Sequence, residues 1–288
     1  MNAVAGASGR FALVNTQIWG QEIVESSQKK LAGKVAIVTG AGSSGPGMGI
    51  GKAISVLCAR EGAKVVLVDK FEDRAKETLS MIEGEGGTAT IVTDDLADIS
   101  SGQRVVDAAV ARYGGVDILV NNAAMAWSKG IHETPPDVCQ QILAINLMTP
   151  IMLCKAAIPV MIKRGGGSIV NISSTTALRA QGGKGSTVYA SSKAGLFGLM
   201  VDLAGAWGKE GIRVNTVAPG IVSTPMQQQS IRQAGLDPAK LDLSVRTSLG
   251  YVGDAWDIAR ATVFLAGPDG RFITGVLIPV DGGTSARS

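Results

Sequence analysis

Tyr189 and Lys193 stand four positions apart in the run Y-A-S-S-K, and they are the residues most suited to chemistry. On a helix that spacing puts both side chains on one face, one turn apart. A phenol has an ordinary pKa near 10, too high for a good base at pH 7–8. An ammonium about 5 Å away, at an effective dielectric of about 20, would favour the phenolate by roughly 3 kcal/mol, about two pKa units. The pair is therefore expected to donate and accept protons near neutral pH. A surface tyrosine beside a solvated lysine has the same spacing, so the surroundings decide.

Upstream, residues 39–52 read T-G-A-G-S-S-G-P-G-M-G-I-G-K. Such a run between a β-branched stretch and a helical pattern lets backbone N–H groups approach a pyrophosphate at a helix N-terminus. A literal G-x-G-x-x-G falls on Gly40, Gly42 and Gly45, but Pro46 and Gly47 follow before the helical pattern begins. Gly40 reads as the tight-turn glycine, and Gly49, Ile50 and Gly51 as the segment at the helix start. Asp69 closes the next β-branched run, 29 residues after Gly40. A carboxylate there accepts hydrogen bonds from both adenosine ribose hydroxyls and repels a 2′-phosphate, which points to NAD rather than NADP. It could equally be a strand-end aspartate capping a helix. Lys70 would favour the phosphate, yet residues 40–51 hold no Arg or Lys to help it. Asp95 and Leu96 could frame the adenine. Asn122 and Ala123, in N-N-A-A at 121–124, lie where a dinucleotide would pass, though they also suit a turn.

These residues need a frame. Short Val/Ile-rich runs at 35–39, 64–69, 88–93, 118–121, 168–173, 213–217 and 276–280 read as strands. Helical patterns cover 50–60, 74–82, 102–113, 138–163, 189–210, 227–233 and 255–265. Continuous apolar runs suit strands buried on both faces, and the alternation predicts right-handed βαβ crossovers in an α/β, doubly wound parallel sheet. In such sheets ligands sit beyond the carboxyl ends of the strands. One domain is expected over residues 31–288, after an N-terminal extension at 1–30.

With 288 residues, 45% of them hydrophobic, the chain can bury a large core. A net charge of +3 from 27 basic and 24 acidic side chains, with no basic run longer than Lys29-Lys30, argues against a nucleic-acid or anionic-membrane partner. No stretch of eighteen apolar residues suggests a membrane span, and the first thirty residues lack a secretory pattern. Cys58, Cys139 and Cys154 are odd in number and read as reduced thiols of a cytoplasmic protein. The single histidine, His132, nearly excludes His-based triads, and no metal site is expected.

In their order, T-G…G-I-G (39–51), Asp69, D-L (95–96), N-N-A (121–123), Asn146, Ser174, Y-x-x-x-K (189–193), P-G-x-V-x-T (219–224) and D-G-G (281–283) resemble the short-chain dehydrogenase/reductase family over about 31–283. The resemblance implies a single-domain Rossmann-like fold and an NAD(H)-dependent oxidoreductase interconverting a secondary alcohol and a ketone. By it, Tyr189 is the general acid/base, Lys193 lowers its pKa and holds the nicotinamide ribose, and Ser174 bonds the substrate oxygen. Asn146 helps place a proton-relay water, and Val222 and Thr224, within the loop begun by Pro219 and Gly220, orient the carboxamide. Ser174 is preferred to Ser173 as the second of the pair, since strand alternation points only one into the cleft. A homotetramer or homodimer built partly through the Tyr189 helix is implied.

This chain departs from the family in two places. Eight residues separate Gly40 from Gly49, five more than the family pattern, and the interval from Ser174 to Tyr189 is about two residues longer than usual, lengthening the loop 177–187. Two other functions fit the same motifs: an NADPH-dependent 3-oxoacyl thioester reductase and a non-catalytic dinucleotide-binding scaffold. Around the substrate, Met125 and Trp127 could form an apolar wall or merely pack under a loop. Arg179 could pair with a substrate carboxylate or meet solvent, and residues 226–235 resemble a mobile lid.

Overall fold

The computed structural model describes residues 29–180 and 185–287. The expected extension at 1–30 lies almost wholly outside the described residues. Seven parallel strands form one sheet: β1 (Val35–Thr39), β2 (Lys64–Asp69), β3 (Thr88–Thr93), β4 (Ile118–Asn121), β5 (Gly167–Ile172), β6 (Ile212–Pro219) and β7 (Leu277–Val280), in the order β3-β2-β1-β4-β5-β6-β7. Between β1 and β4 the order reverses, which opens the crevice where a doubly wound sheet takes its ligands.

Alternating side chains of each strand feed two cores. Ala36, Val38, Val65 and Leu67 pack on one face with α1 (Ile50–Arg60) and α8 (Ala255–Ala266). Ile37, Val66 and Val68 pack on the other with α3 (Ser101–Tyr113), α5 (Thr149–Lys163) and α6 (Thr187–Trp207). Burial on both faces is why these strands read as unbroken apolar runs. The edge of the sheet by β3 is finished by α2 (Glu72–Gly84), a more polar helix with only Ala75, Thr78 and Ile82 buried.

Most strand and helix bounds fall within two residues of the sequence expectation. The exception is the long helical stretch at 138–163. It begins at Pro136 as α4 (Pro136–Leu143), passes through a π turn at Ala144–Met148, and continues as α5. A π turn holds one extra residue per turn, and no side-chain periodicity announces it. Pro136–Lys163 is by length and composition apolar enough to cross a membrane; half of its most apolar window is buried inside the fold.

Local chemistry sets where elements begin. Asp254 caps α8, accepting from the N–H groups of Trp256 (2.8 Å) and Asp257 (3.1 Å), while Asp257 returns a bond to the Asp254 N–H at 2.9 Å. Thr224 caps α7 (Pro225–Gln233) by accepting from the Gln227 N–H at 3.2 Å, and Pro225 starts the helix without needing a donor. The segment expected to be a lid thus opens as a capped helix. At the opposite end of the sheet, buried Asp117 accepts from the Val35 N–H at 2.8 Å and is gripped by Arg164 at 3.1 and 2.9 Å, which locks the entry of β1 beside β4.

Candidate active site

Every strand from β1 to β6 ends at a residue singled out by sequence. After β1, Gly40 turns with φ +61°, and the helix starts at Ile50 as expected. Gly51 is the tightest point: a Cβ there would stand 1.9 Å from the Gly40 carbonyl oxygen and 2.4 Å from Asn122 Nδ2. Asn122 pins the loop, its Nδ2 donating to the carbonyls of Thr39 (2.8 Å) and Gly40 (3.1 Å). Asp69 does so from the other side. Its Oδ2 accepts the Gly42 N–H at 2.9 Å and its Oδ1 the Phe71 N–H at 3.0 Å.

Between these groups lies a cavity of about 260 Å³, bordered by Gly40, Gly51, Asp69, Asp95, Leu96 and Asn122. Ile50, Asn122, Ala124 and Thr224 also border a second cavity of about 130 Å³, which holds Ser174, Tyr189 and Lys193. The two form one continuous trough along the strand ends. A dinucleotide fits it: the glycine cradle leaves backbone space that a Cβ would fill, and the Ser43 hydroxyl is buried on its border without a partner. Of the family-matched residues, Gly49, Ala123, Pro219, Gly220 and Val222 also line the trough.

Asp95 is engaged with Lys70 at 2.7 Å, and the hydrogen bond from Lys70 holds its carboxyl below the usual carboxylate range. Lys70 is thereby committed. Sequence reasoning passed over Gly42, Ser43, Phe71 and Arg74 on the same cavity. Arg74 stands with its guanidinium 4.1 Å over the Phe71 ring, and a Cβ on Gly42 would meet the Arg74 Cβ at 2.5 Å. Only the first turn of α2, immediately downstream of Asp69, could have drawn attention to it.

In the nicotinamide-side cavity the two serines diverge. Ser173 turns away and its Oγ donates to the Lys193 carbonyl at 2.8 Å, while Ser174 lines the cavity and hydrogen-bonds the Tyr189 side chain. The choice of the second serine agrees with this placement. Burial pushes the Tyr189 phenol above its ordinary pKa, and the bond with Ser174 opposes that rise. Lys193 is 2% exposed, donates from Nζ to the Ile172 carbonyl at 2.7 Å, and sits 5.8 Å from the Tyr189 ring centre. Burial lowers its own pKa to about 7. The expected depression of Tyr189 by a full ammonium is therefore corrected: within the protein itself desolvation dominates both groups, because a charge is costly where water is excluded.

The Lys193 shift has a stability consequence. Unfolded, the amine titrates near 10.4; folded, near 7, so the cost of burying it charged is absent above the first value and complete below the second. Replacing Lys193 with Met should thus gain on wild type as pH falls from 10 to 7, by on the order of a few kcal/mol. Urea unfolding at pH 9.5 and pH 7 measures this; a difference independent of pH would contradict a buried, depressed amine.

Asn146 sits in the π turn, fully buried. Its Oδ1 accepts the Met125 N–H at 2.8 Å, and Nδ2 donates to the Met125 carbonyl (2.9 Å) and to Ser192 Oγ (3.0 Å). Both amide hydrogens are committed to joining the loop after β4 to α6. Trp127 packs nearby in sequence with its indole N–H buried and unpartnered. His132 is exposed.

Arg179 differs from both of its sequence readings. It donates to the main-chain carbonyls of Thr284 and Arg287, more than 100 residues away, so no local spacing could disclose it. The lengthened loop 177–187 includes residues 181–184, outside the described residues. Among the described residues no group of three or more His, Cys, Asp or Glu side chains gathers as a metal site.

Comparison with known proteins gives one result. The family model described as Enoyl-(Acyl carrier protein) reductase matches residues 45–285. The chain is 38% identical to the L-rhamnose 1-dehydrogenase (NAD(P)(+)) of Azotobacter vinelandii, over 88% of this chain and 97% of that protein. Its fold matches carveol dehydrogenase from Mycobacterium avium, solved in complex with NAD, with TM-score 0.82 at 30% identity over 90% of this chain and 100% of the other. It also matches a short-chain dehydrogenase/reductase from Serratia marcescens with TM-score 0.79 at 35% identity, covering 89% and 99%. The parallel sheet, the glycine cradle and the Ser174–Tyr189–Lys193 cluster stand where such proteins lead one to look, and this chain belongs to the short-chain dehydrogenase/reductase family of oxidoreductases.

Proposed function

We propose that the protein is an NAD(H)-dependent dehydrogenase that interconverts a secondary alcohol and a ketone, with Tyr189 as general acid/base. The observation that carries this reading is the Tyr189 phenol, hydrogen-bonded to Ser174 beside buried Lys193, in a cavity continuous with the glycine cradle. Bound nicotinamide would take or give the hydride at the substrate carbon. Tyr189 would take the hydroxyl proton during oxidation and return it during reduction. Ser174 would orient the substrate oxygen, Lys193 would hold the nicotinamide ribose, and Val222 and Thr224 would orient the carboxamide. Turnover of secondary alcohols with NAD⁺, followed at 340 nm, tests the reading. A panel in which only acyl thioesters react, with NADPH, would replace it with the reductase alternative.

The preference for NAD rests on Asp69, whose carboxylate borders the adenosine-side cavity, and on Lys70 being tied to Asp95. Arg74 favours a second reading in which NADP(H) is also accepted, since its guanidinium borders the same cavity and a 2′-phosphate would attract it. Asp69→Asn should weaken NADH binding by about tenfold or more, the worth of a charge-assisted hydrogen bond, and favour NADPH relative to NADH. Fluorescence titration with both dinucleotides reads the ratio, and an unmoved ratio would remove Asp69 from the selection.

α6 exposes Phe197 and Val201, each at 49%, on its outer face. An apolar patch there supports assembly of two or four copies through this helix. Sedimentation equilibrium showing a monomer at micromolar concentration would refute it. A cytoplasmic setting is supported by Cys58 and Cys154, buried thiols whose pKa values burial raises to about 12.

A further inference from the structure

Ser174 belongs to a single hydrogen-bonded turn that ends at Arg179. Its Oγ accepts the Thr176 N–H at 3.2 Å and its carbonyl the Ala177 N–H at 3.0 Å. The Thr175 carbonyl then accepts from Leu178 (3.0 Å) and Arg179 (3.1 Å), so a displacement of Arg179 is passed back to Ser174. From the far end of this turn, Arg179 Nη1 donates to the carbonyls of Thr284 and Arg287.

The segment that receives these bonds is itself braced. Asp281 accepts the N–H groups of Gly283 (2.9 Å) and Ser285 (2.6 Å) and packs so closely on Gly220 that a Cβ there would stand 2.4 Å from its own Cβ. Ser248 and Leu249 donate to the Gly282 carbonyl at 2.8 and 3.1 Å. Arg287 donates from Nη1 to the carbonyls of Val245 (2.6 Å) and Thr247 (3.2 Å). Residues 281–287 therefore hold the carboxamide-side loop at Gly220 and the stretch 244–249 together. Arg179 is what couples that assembly to the Ser174 turn.

We infer that Arg179 is a positioning residue: by gripping the Thr284 and Arg287 carbonyls it makes residues 281–287 a strap that fixes Ser174 against Tyr189. The role rests on the dehydrogenase reading above. It uses an arginine because one terminal nitrogen carries two hydrogens in a fixed plane and can serve two carbonyls at once. The Ser174 bond opposes the upward shift of the Tyr189 phenol, so a loosened turn should let that phenol titrate higher.

The test compares wild type, Arg179→Met and Arg179→Lys on an alcohol that wild type oxidises. Arg179→Met is expected to lower kcat by about 10- to 100-fold, as for a misplaced reacting group, with the dinucleotide Kd changed less than about twofold. The limb of the pH–rate profile assigned to Tyr189 should move upward, and Arg179→Lys should recover part of both effects. Amide hydrogen exchange in the dinucleotide-bound protein should quicken at 174–180 and 281–287 in the Met variant, with the strand β1 unchanged. Unaltered kcat and pH profile, or exchange unaltered at 174–180, would overturn the inference. So would a uniform loss of dinucleotide binding and thermal stability, which marks a general structural role. The exchange experiment needs no turnover, so a failed strap and a failed dehydrogenase reading give different results.

Discussion

Tyr189→Phe should retain dinucleotide binding and lose turnover by about 10²- to 10⁴-fold, the contribution of a positioned general acid/base. The substitution removes one oxygen and keeps the ring, so packing around α6 is little disturbed. No neighbour can take over the proton. Lys193 Nζ is turned to the Ile172 carbonyl, Ser174 is an ordinary hydroxyl, and His132 is on the surface with its side chain 73% exposed. Stopped-flow or steady-state rates at 340 nm, beside a fluorescence titration of the dinucleotide, separate the two effects. The variant should also lack the pH limb that the wild-type phenol produces. Normal turnover in the Phe variant would remove the phenol from the chemistry altogether.

A single methyl group should do comparable damage at Gly51. Its Cβ would stand 1.9 Å from the Gly40 carbonyl oxygen, far inside contact distance, and 2.4 Å from the Asn122 amide that pins the loop. Helix α1 cannot retreat, because Ile54, Val56 and Cys58 are fully buried behind it. Gly51→Ala is therefore expected to cost about 1–3 kcal/mol of stability by overpacking and to weaken dinucleotide binding by at least about tenfold. Gly45→Ala provides the contrast. There the nearest atom to a new Cβ is Pro225 Cβ at 3.5 Å, ordinary contact, and binding should be unchanged. Urea unfolding and dinucleotide titration of both variants decide it; equal behaviour would mean the cradle does not hold the ligand.

The contrast between these glycines also measures what the amino-acid sequence disclosed. β1, β2, β3 and β4 have the predicted bounds, because a strand buried on both faces leaves an uninterrupted apolar run. The helix start at Ile50 and the clustering of Ser174, Tyr189 and Lys193 were legible for a related reason: motifs at strand ends converge once the sheet order is known. Contacts between distant segments left no local trace. Nothing near Arg179 points to Thr284, and nothing near Asp69 states that its carboxylate also secures the Gly42 N–H. The electrostatic expectation for Tyr189 failed for a different reason. It treated Lys193 as a full charge, whereas the amine lies 2% exposed among core groups.

The π turn at Ala144–Met148 changes how Pro136–Lys163 tolerates length variation. Each residue advances an α-helix by about 100°, so deleting one residue within the turn would straighten the rod and rotate everything beyond it by that angle. Either Asn146 would swing out of reach of Met125, or Leu153 and Met161 would leave the interior. The bulge therefore acts as a phase adapter between two packing faces. Grafts or chimeras that join this rod to a related one should preserve residue count across 144–148 before they preserve residue identity.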